Sequence, residues 1–335
     1  MRFGLFTGAL RRRSRSFEDI YDEFVDYVVE AERLGFESVF LVEHHFTGLG
    51  DVGASLTLLS HLAARTTTIR LGTAVTVLPW HVPTLLAEQA ATVDVVSGGR
   101  LEFGVGRGYR PNEFHGFQID PEEARSRYEE TLDVVLKAWT SPERFSYDGR
   151  FWQFRDVVVE PRPIQVPHPP IWVAATSEGS VKEAAGRGHR LLLDAFAAVD
   201  SIGERVDWFR AACESAGREY DPMHVALTRG LALVDTDDPE RRAQELARRI
   251  ETIGELASSS QIPGTQRALT GADHAFFDQS SDSVEAAAII GTPEECIERL
   301  AAFRDVGIEY VLFNDIWGGV ERLRLFSETV MPALR

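Results

Sequence analysis

Short apolar segments alternate with longer amphipathic segments along almost the whole chain. The short segments are rich in β-branched and aliphatic residues, which is typical of buried parallel strands. After the first of them, Phe17, Phe24 and Val28 fall on one face of a predicted helix. The predicted strands are Arg2 to Phe6, Ser38 to Val42, Ile69 to Ala74, Leu101 to Val105, Ile171 to Ala175, Arg190 to Leu193, Val225 to Val234 and Glu309 to Phe313. Eight strand-helix units predict an α/β fold, the (β/α)8 TIM barrel, with its active site at the carboxyl ends of the strands.

Residues with strong capping preferences mark the ends of several predicted helices. Ser16 suits the start of the first helix and Gly35 suits its end. Pro83 and Pro121 stand at first helical turns, where a missing backbone N–H costs nothing. These residues support the division into strand-helix units.

Two segments interrupt the repeat. After the fourth helix, Phe145 to Phe154 predicts a β-hairpin excursion, and the proline-rich stretch Pro161 to Pro170 leads back to the barrel. Ser258 to Ser283 lacks periodicity, which predicts a mobile lid over the barrel mouth. We therefore expect one barrel domain over residues 1–335, with insertions at about 140–170 and, before the last strand, at about 257–290.

Composition and charge narrow the class of protein. The 335 residues are 44% hydrophobic, which is enough for one large core, and the net charge of −17 argues against binding nucleic acid or an anionic membrane. No long apolar span occurs, and the first strand runs into the basic stretch Arg11 to Arg13, the reverse of a signal peptide. Cys213 and Cys296 have no paired spacing, so buried free thiols are expected. We expect a cytoplasmic enzyme.

The clearest chemical cluster is Glu43 to Thr47, directly after the second predicted strand. His44 and His45 are neighbours on an extended segment, so their side chains point to opposite sides and do not converge on one metal ion. We therefore predict no metal site. One histidine hydrogen-bonded within the barrel mouth is the alternative, and proton transfer by His44 is the interpretation that we favour.

Two further strand ends predict an anion site. Gly104 to Gly108 resembles the start of a dinucleotide fingerprint, but Tyr109 stands where its third glycine belongs. The glycines allow close backbone approach to a ligand, and Arg107 between them can reach an anion. Thr176, Ser177 and Ser180 follow the fifth strand, where unpaired helix N–H groups suit a phosphate. N-capping of the helix explains each serine equally well when it is taken alone. The nearby Arg107 favours the interpretation as a phosphate site.

Aromatic side chains near strand ends are candidates for the wall of a pocket that holds a flat cofactor. Ordinary core packing explains them equally well. His81, His115 and His274 are weaker candidates for chemistry. The aromatic candidates are Trp80, Tyr109, Trp172 and Trp317.

Taken together, these segments resemble the bacterial luciferase-like family of flavin monooxygenases over nearly the whole chain. The resemblance is carried by Glu43 to Thr47, Thr73 to Val75, Gly106 to Gly108, Ala174 to Ser180 and Gly291 to Glu295. It implies a single luciferase-like barrel domain that uses reduced FMN or, in one branch of the family, the deazaflavin coenzyme.

The resemblance also implies roles for individual residues. His44 is the catalytic histidine, and Arg107, Ser177 and Ser180 contact the phosphate, with Thr176 in the phosphate loop. Ala74 and Val75 then lie against the isoalloxazine ring, where we predict a non-proline cis peptide bond between them, and Tyr109 lines the cofactor pocket. Luciferase has cysteine in place of Gly106 and glutamate in place of Thr176, so light emission is not expected. Luciferase has an aspartate at the position of Glu113, so a carboxylate is retained there.

The reaction implied by the resemblance is two-component oxygenation. Reduced FMN and dioxygen would insert one oxygen atom into a small organic substrate through a flavin hydroperoxide, and a separate reductase would supply the reduced flavin. Loops after Gly8 and Gly108 and the region around Ser258 are expected to set the substrate. A homodimer is expected. One alternative is a dehydrogenase that uses the deazaflavin coenzyme. The other is a non-catalytic flavin-binding subunit, but such a subunit would not need His44.

Overall fold

A computed structural model describes residues 1–8, 15–49, 52–234, 238–262, 284, 287–314 and 319–335. Several residues singled out above lie outside this part of the chain: Arg11 to Arg13, His274, Trp317 and, beyond Ile262, the predicted lid to Ser283. Within the described residues, no helix is long and apolar enough to cross a membrane.

The strands form one closed barrel and one separate hairpin. They are β1 Arg2–Thr7, β2 Ser38–Leu41, β3 Arg70–Thr73, β4 Thr76–Val77, β5 Leu101–Gly106, β6 Phe145–Asp148, β7 Gln153–Val157, β8 Ile171–Ala174, β9 Arg190–Leu193, β10 Val225–Leu233, β11 Ala288–Gly291 and β12 Tyr310–Asn314. Strands β1, β2, β3, β5, β8, β9, β10 and β12 pair in parallel in this order, and β12 pairs with β1 to close the barrel. The predicted (β/α)8 barrel is confirmed.

The helices follow the strands as predicted, with some differences at their ends. They are α1 Phe17–Arg33, α2 Ser55–Arg65, α3 Pro83–Val96, α4 Pro111–Gly116, α5 Ala124–Thr140, α6 Glu178–Arg187, α7 Val199–Ser215, α8 Pro239–Ser259, α9 Pro293–Asp305, α10 Gly319–Thr329 and α11 Met331–Leu334. Ser16 caps α1 by accepting the Asp19 N–H, and Thr292 and Glu295 form a capping box on α9. The predicted helix from Pro121 begins as a 3-10 turn before α5, and the short α4 was not predicted.

The predicted hairpin excursion is confirmed. Strands β6 and β7 pair in antiparallel fashion, and the Glu130 carboxylate accepts the backbone N–H groups of Phe151 and Trp152 in their turn. On the way back to the barrel, buried Asp94 accepts the N–H groups of Ile164 and Gln165. These carboxylates tie the excursion to α5 and α3 because each satisfies backbone donors that no strand pairs.

The last residues of the predicted insertion at 257–290 form a strand, β11, which the sequence analysis did not predict. Strand β10 is long, and its second half, Gly230 to Leu233, pairs with β11. Leu246 of α8 packs on the apolar face of Ala232, Ala288 and Ile290 in this extension. At its other end, the Ser260 carbonyl accepts the backbone N–H of Asn112, which lies just after β5. Because these two anchors lie after different strands, α8 spans the carboxyl-terminal mouth of the barrel.

Side chains fill the barrel below its mouth. Phe40, Trp172, Leu192, Ala226, Tyr310 and Leu312 form an interior cluster, and a much larger core separates the strands from the helices. Beneath the cluster, the Glu102 carboxylate pairs with Arg70 and Arg190 and accepts the indole N–H of Trp172 at 2.6 Å. The interior below the mouth is therefore packed, as is typical of this fold. Cys213 and Cys296 are buried free cysteines, as predicted.

Candidate active site

His44 lies in the loop after β2, where its ring is held by a buried carboxylate. Its Nδ1 is 3.1 Å from Oε1 of Glu113, which is in the first turn of α4 and 1% exposed. The same oxygen accepts the backbone N–H of His45 at 3.0 Å. Because Nδ1 is engaged with the carboxylate, Nε2 is the ring nitrogen left to exchange a proton with a ligand.

A second carboxylate holds the other two histidines of this region. Glu43 is buried, and its Oε1 lies 3.2 Å from Nε2 of His45 and 2.9 Å from Nε2 of His81. Burial opposes ionisation of Glu43, but the hydrogen bonds with His45 and His81 outweigh it and hold the pKa of the carboxyl below its ordinary value. The side chains of His44 and His45 thus engage different carboxylates. The described residues include no group of three or more ligands arranged to hold a metal ion.

Tyr109 and Asn112 complete the surroundings of His44. The ring of Tyr109 meets the His44 ring edge to face, with centroids 6.2 Å apart, and its hydroxyl accepts a hydrogen bond from Nε of Arg110 at 3.4 Å. The side-chain amide of Asn112 donates to the His45 carbonyl at 3.1 Å. The loop after β2 is therefore fixed by residues that follow β5, two strands away around the barrel.

The turn after β3 has the predicted backbone. The peptide bond between Ala74 and Val75 is cis, which confirms that prediction, and both side chains are half-buried at the barrel mouth. A Cβ atom on Gly106 would lie 2.3 Å from Cγ2 of Val75, and one on Gly104 would lie 1.8 Å from the Thr73 carbonyl oxygen. Gly104 and Gly106 thus leave room for the neighbouring turn of Thr73 to Val75.

The residues predicted to bind an anion follow two adjacent strands. β5 and β8 pair directly, so Arg107 at the end of β5 and Thr176 after β8 lie at the same edge. Ser177 is the N-cap of α6: its Oγ accepts the Ser180 N–H at 3.4 Å and lies 2.8 Å from the Ser180 Oγ. Ser177 and Arg107 are exposed, as are Glu178 and Gly179 in the first turn of α6. This arrangement of a guanidinium, two hydroxyls and a helix N-terminus suits a phosphate.

The other aromatic candidates have different positions. Trp172 is 1% exposed in the barrel interior, so it is a core residue and does not line a cofactor pocket. Trp80 packs on Phe114 and Phe117, beside the His45 ring. His115 is exposed on α4.

Glu113 was predicted only as a retained carboxylate, and its contact with His44 was not predicted. Glu43 had no predicted role beyond its place next to the histidines, and His81 was a weak candidate. A separation of 69 residues between His44 and Glu113 offers no local periodicity from which to infer the contact. The one available signal was that both residues follow strands whose carboxyl ends meet at the barrel mouth.

Comparison with known proteins gives consistent results along the whole chain. The family model for luciferase-like monooxygenases matches residues 1–310. The chain is 28% identical to the oxygenase component of the flavin-dependent trigonelline monooxygenase of Acinetobacter baylyi, over 99% of this chain and 95% of that protein. It is 26% identical to an F420-dependent glucose-6-phosphate dehydrogenase of Microbacterium testaceum, over 94% of each chain. The crystal structure of the monooxygenase RslO1 from Streptomyces bottropensis superposes with a TM-score of 0.86 at 27% identity, over 99% of each chain.

Proposed function

Because this chain belongs to the luciferase-like monooxygenase family, we propose that it is the oxygenase of a two-component flavin system. It would use reduced FMN and dioxygen to insert one oxygen atom into a small organic substrate. The observation that carries this proposal is the His44 ring, held at Nδ1 by buried Glu113 in the loop after β2, while the cis turn of Ala74 and Val75 follows the neighbouring strand β3. A proton-transfer group is thereby fixed next to the surface on which the flavin ring would lie.

The residues of the site fit reduced FMN. Arg107, Thr176, Ser177 and Ser180 would hold the phosphate at the N-terminus of α6, because that end of a helix offers unpaired N–H groups to an anion. The half-buried side chains of Ala74, Val75 and Tyr109 would contact the ring. When bound, reduced FMN supplies the chemistry that activates dioxygen.

The role of this chain is to position a proton and to exclude water. Glu113 accepts the Nδ1–H of His44 and so fixes the tautomer and the orientation of the ring. His44 Nε2 can then donate or accept a proton at the oxygen atom that is being transferred. The helix α8 above the mouth and the packed interior below it limit the access of water to that atom.

A second candidate is hydride transfer with the deazaflavin coenzyme. The similarity to an F420-dependent dehydrogenase over 94% of the chain supports it, because the same barrel and phosphate site would serve both coenzymes. We favour FMN because the family model that matches residues 1–310 is that of luciferase-like monooxygenases, and relatives aligned over 91% and 99% of the chain are flavin- or FMNH2-dependent monooxygenases.

Anaerobic fluorescence titration with reduced FMN and with reduced F420 distinguishes these functions. We expect reduced FMN to bind at least tenfold more tightly, and turnover of a panel of small ketones, sulfur compounds, amines and acids under ¹⁸O2 to place one labelled atom in a product. The two-component proposal predicts that NADPH without a reductase gives no product. Tighter binding of reduced F420, or product formed without dioxygen, would favour the dehydrogenase.

We also propose that the protein forms a homodimer through α3. Leu85, Val95 and Val96 of this helix, together with Val82 at its N-cap, are between 39% and 55% exposed, and exposed apolar side chains grouped on one helix are typical of a protein interface. We expect sedimentation velocity to show a dimer that the double variant Leu85→Glu, Val96→Glu dissociates. The control variant Val166→Glu, at a position 92% exposed on the excursion, should remain a dimer.

A further inference from the structure

The side chain of Asn314, the last residue of β12, points into the mouth of the barrel. Along this strand, Tyr310 and Leu312 belong to the interior cluster, whereas Val311 and Phe313 belong to the core behind the strands. Because side chains alternate along a strand, Asn314 faces inward with Leu312 and lies one level above it. Its amide is therefore at the carboxyl end of its strand, where barrels of this fold bind their ligands.

The side-chain carbonyl oxygen of Asn314 is buried at this level. In the part of the chain that the structure describes, no group donates a hydrogen bond to this Oδ1 atom. The residue in register with it on β10 is Gly230, which has no side chain, and the Arg249 guanidinium beside Gly230 does not donate to it. Burial of an acceptor without a donor is costly, because the hydrogen bonds that it makes with water are lost. The oxygen is therefore suited to accept a hydrogen bond from a ligand.

Asn314 lies across the barrel from the surface on which the flavin ring would rest. In the closed barrel, β12 and β5 are four strands apart in either direction. The end of β5 contributes Gly106, beside which Val75 of the cis turn packs. His44 follows β2, which is two strands from β12 and two from β5. A molecule between Asn314 and the flavin would therefore have His44 at its side.

We propose that Asn314 binds the organic substrate through this oxygen, so that the substrate carries a hydroxyl or N–H group on an otherwise apolar frame. This inference rests on the proposed function, because it assigns to the substrate the part of the mouth opposite the flavin. An acceptor selects alcohols, phenols and N–H amides over ethers, ketones and tertiary amides, which have no donor.

The neighbours of Asn314 favour an apolar remainder of the substrate. Phe6 of the adjacent strand β1 lies one residue beyond the pair of Leu5 and Phe313, and it packs on the interior cluster. Leu312, one level below, is fully buried. A single polar anchor in an apolar wall fixes the orientation of a small molecule, so the end remote from Asn314 would face the flavin and His44.

Equilibrium binding of matched pairs tests this assignment. The probes are cyclohexanol with cyclohexanone and 2-piperidone with N-methyl-2-piperidone; within each pair only the first compound has a donor. They are titrated anaerobically by isothermal calorimetry, into the flavin-free protein and into protein saturated with reduced FMN. In at least one pair we expect the donor to bind about three- to tenfold more tightly, the scale of a neutral hydrogen bond.

Variants of Asn314 and a matched control locate the preference. Asn314→Leu has a similar size without polar atoms and should abolish the preference, and the smaller Asn314→Ala should do the same, which excludes a steric origin. The control Thr228→Val removes an inward hydroxyl that already donates to the Leu193 carbonyl at 2.9 Å, and it should keep the preference. In urea melts, Asn314→Leu should not lower the midpoint, because no hydrogen bond within the protein is lost.

Several results would overturn the role of Asn314. These are the absence of any preference for donors in the wild type, a preference that both Asn314 variants retain, an equal loss in Thr228→Val, and a lower urea midpoint for Asn314→Leu. Weaker binding of reduced FMN to Asn314→Leu, without a preference among the probes, would assign the hydrogen bond to the flavin instead. A preference that depends on Asn314, in a protein that does not bind reduced FMN, would support this site and contradict the monooxygenase proposal.

Discussion

Replacement of Glu113 by glutamine tests whether this carboxylate makes His44 an effective proton-transfer group. Glu113 is 1% exposed, and its Oε1 lies 3.1 Å from His44 Nδ1 and 3.0 Å from the His45 backbone nitrogen. Glutamine has the same shape and its amide oxygen can still accept, so the loop after β2 should stay in place. The charge that stabilises a protonated imidazole is lost.

The magnitude follows from the difference between charged and neutral hydrogen bonds. A hydrogen bond to a charged group contributes about 1.5 to 3 kcal/mol and a neutral one about 0.5 to 1.5 kcal/mol, so the loss is about 1 to 1.5 kcal/mol. If this difference is expressed in the transition state, turnover falls roughly five- to fifteenfold. The affinity for reduced FMN should be unchanged, because the phosphate site does not include Glu113.

The assay is single-turnover product formation with saturating reduced FMN, compared across Glu113→Gln, His44→Ala and the double variant. Because Glu113 is proposed to act through His44, the double variant should be no slower than His44→Ala alone. The control Glu122→Gln removes a charge from a nearby exposed carboxylate and should have wild-type turnover. Full activity of Glu113→Gln, or losses that multiply in the double variant, would refute the pairing.

Three further predictions follow from the same contacts. His44→Ala should leave the affinity for reduced FMN nearly intact while turnover falls roughly a hundredfold or more, the usual scale for a lost proton-transfer group. Rapid-quench kinetics would measure the turnover, and unimpaired turnover would exclude His44 as the proton-transfer group. Arg107→Ala should weaken reduced FMN binding by about 1.5 to 3 kcal/mol in a fluorescence titration, and an unchanged Kd would remove Arg107 from the site. Burial, with a smaller contribution from Arg187, lowers the pKa of His189 from 6.5 to about 4, so between these values the unfolded chain binds a proton that the folded protein does not. The free energy of unfolding should therefore decrease by up to about 3 kcal/mol as the pH falls from about 6.5 to about 4. Urea melts of His189→Gln should show a smaller decrease, and an equal decrease in the variant would contradict the assignment of this pH dependence to His189.

The sequence by itself determined the architecture, because the relevant signals are local. A strand buried on both faces is a short apolar run, and the period of an amphipathic helix can be recognised within a window of a few turns. Ser16 and Pro83 mark helix starts through their own backbone and side-chain preferences. The position of His44 just after a strand was likewise sufficient to place it at the mouth, because in this fold the strand ends meet there.

Only the tertiary structure decided which side chains meet. The pairing of His44 with Glu113, the burial of Trp172 below the mouth, and the hydrogen bond from the Asn112 N–H to the Ser260 carbonyl each join residues from different units. These contacts depend on the register of the strands and on the closure of the barrel, which relate residues far apart in the chain and leave no periodic trace in it. Strand β11 was missed for a related reason: its four residues are a strand only because the second half of β10 extends beyond the barrel and pairs with them.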